Sequence, residues 1–278
     1  DLHSFPTRRS SDLPTGHGAV RAARLYRENG CGRFAVARLC EAVELREAGI
    51  SEDILILGQE PEESAPAIVE LGLTCACAEA RFARTLSREA AERGKRAKVH
   101  LKVNTGMGRL GLTPEALGPF AEELFALPGL DVEGAFTHFA VADEPRPDYT
   151  DTQFARFERA LALLDSKGFS VRVRHACNSA GILSHPDKYL DAVRPGIMLY
   201  GVSPVERLPE GVTLRPTFSF KSAVVSLHDA EPSSGIGYGL RYITRGRERI
   251  AVIPVGYADG WTRTLSGKTS VQIGRAHV

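Results

Sequence analysis

Residues 98–112 read KVHLKVNTGMGRLGL, and the change of character halfway along decides the fold. Up to Asn104 apolar and polar residues alternate with the period of a strand, so Val99, Leu101 and Val103 share one face and His100, Lys102 and Asn104 the other. A glycine-rich turn then carries Arg109 five residues past Asn104. In a barrel of parallel strands the polar set points inward near the C-terminal mouth, where sites are built. A surface loop with a solvated Arg109 and a Lys102 lying along apolar surface fits the same spacing.

Six more apolar, β-branched runs flank this one: RFAVARL (33–39), DILILG (53–58), LTCACA (73–78), VEGAFTHFA (132–140), VRVRHACN (171–178) and AVRPGIMLYG (192–201). Between them lie segments of helical period such as CEAVELREAG, EARFARTLSREAAERG and TQFARFERALALLDSKG, the first and last closed by a glycine where a C-cap belongs. Strand and helix in strict alternation predict a parallel sheet and an α/β fold. Seven such repeats in about 170 residues, preceded by the amphipathic AVRAARLYRENG, predict a (β/α)8 TIM-type barrel over 14–213 that lacks its first strand. Past residue 213 the long helices stop. Strand-like runs FSFKSAVVSL (218–227) and RIAVIPVGYA (249–258), with the turn SSGIGYG, predict a truncated, mostly-β domain over 214–278. Residues 1–13, DLHSFPTRRSSDL, have no apolar period; both they and the closing IGRAHV resemble translated sequencing-adapter sequence, and a non-native leader is expected there.

Composition narrows the function. The 278 residues are 43% hydrophobic and 25% charged, and 35 basic against 34 acidic side chains leave a formal charge of +1. No overall field recruits nucleic acid or an anionic membrane, which favours a small, weakly charged partner. There is no apolar run of about 18 residues and no signal-like h-region, so the cytoplasm is the expected compartment. Five cysteines without a CxxC pair argue for reduced, mostly buried thiols and against a disulfide framework or a bound metal.

Chemistry-bearing residues recur where the other strands end. FTHFAVADE presents His138, RHACNSAG presents His175, Asn178 and Ser179, and VRPGIMLYG offers Arg194 beside a Gly196-Ile197 turn. NSAG reads either as a phosphate seat at a helix start or as an ordinary N-cap. Tyr238 in GIGYG and Tyr257 in GYADG are packing aromatics or site residues.

Taken together, KVNTGMGRLG, THFAVADE, HACNSAGIL, VRPGIMLYGVSP, GIGYG and IPVGYADGW resemble, in family order over roughly residues 16–265, the alanine racemases among the fold-type III pyridoxal-phosphate enzymes. The resemblance implies a barrel followed by a β domain, a homodimer, pyridoxal 5'-phosphate at the barrel mouth, and alanine as substrate. It implies that Arg109 bonds the cofactor's phenolic oxygen and helps hold the substrate carboxylate. Lys102 matches a lysine often carbamylated in the family, a modification that would turn a cation beside Arg109 into its anionic partner. Arg194 matches the arginine facing the pyridine nitrogen, and a guanidinium keeps its proton, so that nitrogen stays unprotonated. His175 resembles the residue bonded to Arg194; Ser179, Gly196 and Ile197 resemble phosphate ligands, with Asn178 beside them.

Racemisation needs a base on each face of the substrate Cα. By resemblance Tyr238 is one, reaching the partner subunit's site, with His138 hydrogen-bonded to it and Tyr257 at the substrate entrance. The lysine that bonds the cofactor should be the other, yet its position, six before the His of GHG (16–18), is Ser11; the phosphate-tyrosine position is Thr15. The parent enzyme is expected to racemise alanine and this chain to be inactive. A broad-specificity amino-acid racemase and a non-catalytic pyridoxal-phosphate-binding protein are the alternatives; a hydrolase using Ser179 and His175 lacks an orienting acid.

Overall fold

Eight short parallel strands and the helices between them build the larger of the two compact units into which the chain divides, Asp1–Phe218 and Ser219–Val278. The computed structural model describes residues 3–4, 17–144, 147–274 and 276–277. In chain order the first unit contains β1 (His3–Ser4), α1 (Ala19–Glu28), β2 (Arg33–Val36), α2 (Leu39–Glu47), β3 (Asp53–Ile56), α3 (Ala65–Glu70), β4 (Thr74–Cys77) and α4 (Ala80–Glu92). There follow β5 (Ala97–Lys102), α5 (Pro114–Ala126), β6 (Leu130–Phe136), α6 (Pro147–Ser166), β7 (Val173–His175), α7 (Ser179–Ser184) and β8 (Ala192–Val193).

The strands pair in the order β1-β8-β7-β6-β5-β4-β3-β2. From β2 to β8 each strand lies beside its sequence neighbour with a helix in the crossover, which is the winding of a TIM-type barrel. Seven of the eight strands, β2 to β8, match the seven runs expected from the sequence. The expectation of a missing first strand needs one amendment: His3 and Ser4 pair in parallel with Ala192 and Val193, so two residues stand where a full first strand belongs. An edge strand offers a row of unpaired backbone groups, and even two residues satisfy some of them.

Alternation sorts the side chains as expected. Phe34, Val36, Ile54, Ile56, Cys75, Cys77, Val99 and Leu101 point out into one continuous core with Phe82, Leu86, Leu117, Phe157 and Leu164 of the helices. Ala35, Leu55, Val173 and Ala192 form a much smaller inner cluster. Most of the interior is thereby left to polar side chains. Helix α6 ends at Ser166, and Gly168 just past it, with φ of +76°, suits the left-handed turn that stops a helix.

Several runs read as long strands are shorter. AVRPGIMLYG contributes only Ala192–Val193, because Pro195 has no N–H for a ladder and Ile197–Tyr200 coil into a 3-10 turn. In the second unit β9 is Ser226–Ala230, not 218–227, and pairs antiparallel with β12, Glu248–Val252, which stops two residues before Pro254. Between them β10 (Gly235–Ile236) and β11 (Tyr242–Ile243) form a second antiparallel pair; β13 (Gln272–Ile273) and β14 (Ala276–His277) form a third.

All five cysteines are free thiols. Burial pushes Cys75 well up, Cys77 up to about 12 and Cys177 up to about 11, so these three are inert packing groups at neutral pH. Among the described residues, no helix is long and apolar enough to cross a membrane.

Candidate active site

Arg194 leaves the sheet directly after β8 and turns its guanidinium into the C-terminal mouth, where it is 1% exposed. One terminal nitrogen, Nη1, donates to Nδ1 of His175 at 2.5 Å. The other, Nη2, donates to the carbonyls of Thr137 (2.7 Å) and Ala176 (2.8 Å) and to Nδ1 of His138 (3.2 Å). Burial pulls its pKa down to about 10, which still leaves it a cation at neutral pH. Its Nε is buried with no hydrogen-bond partner among the described residues. An unpaired buried N–H costs about 1–3 kcal/mol, so this donor is a place where an added acceptor would be stabilising.

Phe136 lies beneath these groups. Its ring stacks on His175 at 4.8 Å and takes the guanidinium of Arg194 at 5.5 Å and the ammonium of Lys102 at 5.2 Å over its face. Lys102 is 7% exposed and donates to the carbonyl of Leu57 at 3.2 Å. Burial, then the charges of Arg109 and Arg194, pull its pKa down from 10.5 to about 8. The neutral amine, the form that reacts with carbon dioxide, is thereby more populated than for a solvated lysine.

The turn after β5 closes on its own strand. Leu112 N–H donates to Lys102 O and Asn104 N–H to Leu112 O, both at 2.8 Å, while the Asn104 side chain accepts from the N–H groups of Gly106 and Gly108. Gly111, at φ +111°, has no room for a Cβ, which would meet the Lys102 carbonyl at 2.8 Å. From α6, Tyr149 donates to Gly106 O and Arg156 to Thr105 O. Arg109 rides on this braced loop with its side chain exposed, and lines a cleft with Lys102, Asn104, Thr137 and His138. The mixture of residues in 98–112 therefore builds a strand end, a closed turn and a presented arginine.

Ser179 opens α7. Its Oγ accepts from the backbone N–H of Gly196 at 2.8 Å and of Met198 at 3.4 Å, which brings Ser179, Gly196 and Ile197 to one place. Asn178 is the N-cap: its Oδ1 accepts from Gly181 N–H, and its amide donates to Phe139 O, with His138 Nε2 at 3.4 Å. Tyr238 and Tyr257 belong to the second unit, where they are 92% and 73% exposed. Ser11 and Thr15 lie outside the described residues. No three His, Cys, Asp or Glu side chains cluster as a metal site among the described residues.

Sequence reasoning missed two groups. Gln153 is wholly buried and ties the loops together, accepting from Ala140 N–H and donating to His138 O and to the Thr105 hydroxyl, which itself meets the Thr137 hydroxyl at 2.7 Å. Behind His175, His100 Nδ1 lies 2.8 Å from His175 Nε2, and His100 Nε2 lies 3.1 Å from Glu133 Oε2. The inward face of β5 pointed to His100; nothing in the alternation of β6 pointed to Glu133.

A TIM-type barrel with a buried, partly unsatisfied arginine and a braced second arginine at its mouth, followed in the chain by a small β unit, defines a two-domain barrel enzyme of the anion-binding kind. Family models narrow it: the alanine racemase N-terminal domain matches residues 13–204 and the alanine racemase C-terminal domain residues 217–278. The chain belongs to the alanine racemase family. It is 44% identical over 261 residues to alanine racemase of Desulforamulus reducens, covering 93% of this chain and 70% of that protein. Among solved structures it resembles alanine racemase of Clostridium difficile 630 (TM-score 0.89, 36% identity, 100% of this chain and 72% of that one). It also resembles histidine racemase of Leuconostoc mesenteroides (TM-score 0.84, 29% identity, 97% and 72%).

Proposed function

We propose that this barrel mouth binds pyridoxal 5'-phosphate and serves the interconversion of L- and D-alanine in the cytoplasm; the carrying observation is the buried Arg194 with its unsatisfied Nε. The residues present fit the noncovalent part of such a site. Arg194 supplies a donor for the pyridine nitrogen, and Ser179, Gly196 and Ile197 supply a hydroxyl and backbone N–H groups for the phosphate. When bound, the cofactor supplies an electron-withdrawing ring that acidifies the substrate Cα–H.

The chain's own groups do the rest. Arg194 holds its proton, because even a pKa of about 10 keeps it a donor, and it leaves the ring nitrogen unprotonated. His175 braces Arg194, and Asn178 orders the start of α7. Arg109 meets the substrate carboxylate and the phenolic oxygen, with Lys102 as its partner once carbamylated. The protein is a homodimer in this reading: the partner subunit's Tyr238 moves a proton at Cα, steadied by His138, and the partner subunit's Tyr257 stands at the entrance.

A serine at position 11 cannot bond the cofactor or act as the opposite base. The 278-residue chain therefore binds pyridoxal phosphate without racemising alanine, and Ser11→Lys gives a borohydride-reducible cofactor adduct that mass spectrometry locates at residue 11. In deuterium oxide with pyridoxal phosphate and L-alanine, the chain leaves Cα unlabelled. Deuterium above the protein-free control would overturn the assignment of position 11, and loss of cofactor binding would not follow from Arg194→Met if the site lay elsewhere. The likeness to a histidine racemase favours a second reading, a broader amino-acid racemase, and the parent enzyme assayed with histidine beside alanine separates the two.

A further inference from the structure

Arg194 ends a line of buried polar groups that crosses the barrel interior to Glu133, near the opposite end of the sheet. Guanidinium nitrogens only donate, so His175 Nδ1 accepts from Arg194. A neutral imidazole has its proton on the other nitrogen, so His175 Nε2–H donates to His100 Nδ1, and His100 Nε2–H donates in turn to the Glu133 carboxylate. The reverse direction would require a guanidinium to accept. One tautomer for each histidine therefore satisfies all three contacts, and every donor points toward the carboxylate.

The surroundings hold both imidazoles neutral. Burial, opposed by Glu133 and reinforced by Arg33 and Arg194, pulls His100 down. Burial and the positive neighbours Arg194, His100, Arg33 and His138 pull His175 well down. At the far end Glu133 stays ionised: the His100 hydrogen bond and the charges of Arg33 at 3.5 Å and Lys98 at 3.6 Å hold it down at about 2.

Two backbone features serve this line. The pairing of β5 with β6 slips by one residue, Val99 facing Val132 but His100 facing Gly134, so Glu133 is the extra residue of a β-bulge. Bulges re-aim side chains, and this one turns Glu133 inward, where strict alternation from the outward Val132 and Ala135 would leave no consistent place for it. Gly134 makes room for the ring: a Cβ there would meet His100 Cε1 and Nδ1 at 2.8 Å and the Val173 carbonyl at 2.5 Å.

We propose that Glu133 and His100 are positioning residues for the active site: the remote carboxylate fixes the tautomers of His100 and His175 and thereby holds Arg194 with Nη1 committed to His175 and Nε turned toward the mouth. The functional consequence rests on the reading of Arg194 as the partner of the pyridine nitrogen.

The test uses the 278-residue chain with 15N-labelled histidine and no cofactor. Long-range 1H–15N spectra distinguish Nε2–H, Nδ1–H and imidazolium forms, and His100→Asn and His175→Asn assign the signals. Both histidines are expected as neutral Nε2–H tautomers from pH 6 to 8. Glu133→Gln, whose amide oxygen still accepts, keeps both. Glu133→Leu moves His175, two hydrogen bonds away, toward Nδ1–H and weakens pyridoxal phosphate binding about tenfold. An Nδ1–H or imidazolium form of either histidine in the native chain would overturn the proposal, as would an unchanged His175 tautomer in a Glu133→Leu protein of native circular dichroism. If Glu133→Leu does not fold, Glu133→Asp, one methylene short, takes its place: a mixed His175 tautomer supports the proposal and an unchanged one overturns it. Native tautomers combined with a parent enzyme that fails to racemise alanine would strike the proposed function and leave this inference standing.

Discussion

Replacing Lys102 by methionine should stabilise the barrel at neutral pH, although it deletes a hydrogen bond in the heart of the site. In the fold the amine is pulled from 10.5 to about 8 by burial and by Arg109 and Arg194. At about 1.4 kcal/mol per tenfold change in proton affinity, this amounts to about 3 kcal/mol. The unfolded chain binds the proton more tightly, so the destabilisation is fully present below pH 8 and fades as pH rises toward 10.5. Methionine keeps the packing on Phe136 and loses the bond to the Leu57 carbonyl, about 1 kcal/mol. The net gain is about 2 kcal/mol at pH 7 and close to nothing, or a small loss, near pH 10. Urea unfolding of both proteins in carbon-dioxide-free buffer at the two pH values measures it. Adding bicarbonate should then stabilise the native chain, whose carbamate gains two arginine neighbours, and leave the methionine variant unchanged. A variant less stable than the native chain at pH 7, or a gain that does not shrink with pH, would refute the argument.

Gly134→Ala should lower stability by about 2 kcal/mol, or roughly 6 °C in Tm by calorimetry, because the new Cβ overlaps both an imidazole and a carbonyl. Glu133 is held below its ordinary 4.5 at about 2, so its contribution is present above pH 4.5 and lost as pH falls toward 2; acid titration of Glu133→Gln followed by circular dichroism should show a flatter acid limb than the native chain. Ser179→Ala strands the N–H groups of Gly196 and Met198, and should cost about 1–3 kcal/mol in urea unfolding while weakening pyridoxal phosphate binding measured by fluorescence quenching.

How far the fold could be read depended on periodicity. The inward His100 and Lys102 follow from alternation in a strand of six residues, with Asn104 just past its end, and the outer core of Val99, Leu101, Ile54 and Ile56 follows with it. The strand lengths were less legible, since Pro195 and Pro254 end ladders that the apolar runs alone would extend. Glu133 was hidden for a definite reason: a bulge breaks the period of two, and no local residue type announces it. Arg194 and Ser179 could be placed at strand and helix ends, but that one nitrogen of Arg194 would be left unsatisfied is a property of Thr137, Ala176, His138 and His175 together, brought close to it from the ends of β6 and β7. Tyr238 and Tyr257 carry their roles through the family resemblance.

The loop bearing Arg109 is bolted at its base, where Leu112 bonds Lys102 and Asn104, and to Tyr149 and Arg156 of α6. Helix α5, which begins just past it, is not among those anchors. For a protein engineer this makes the loop a cassette: the exposed face of α5 can be recoded, with Leu117, Ala121 and Leu124 kept in the core, while the arginine stays in register with the mouth. A lineage that needs a different side chain in its substrate gains nothing by remodelling α5, and must instead vary the residues that line the cleft around a fixed charge.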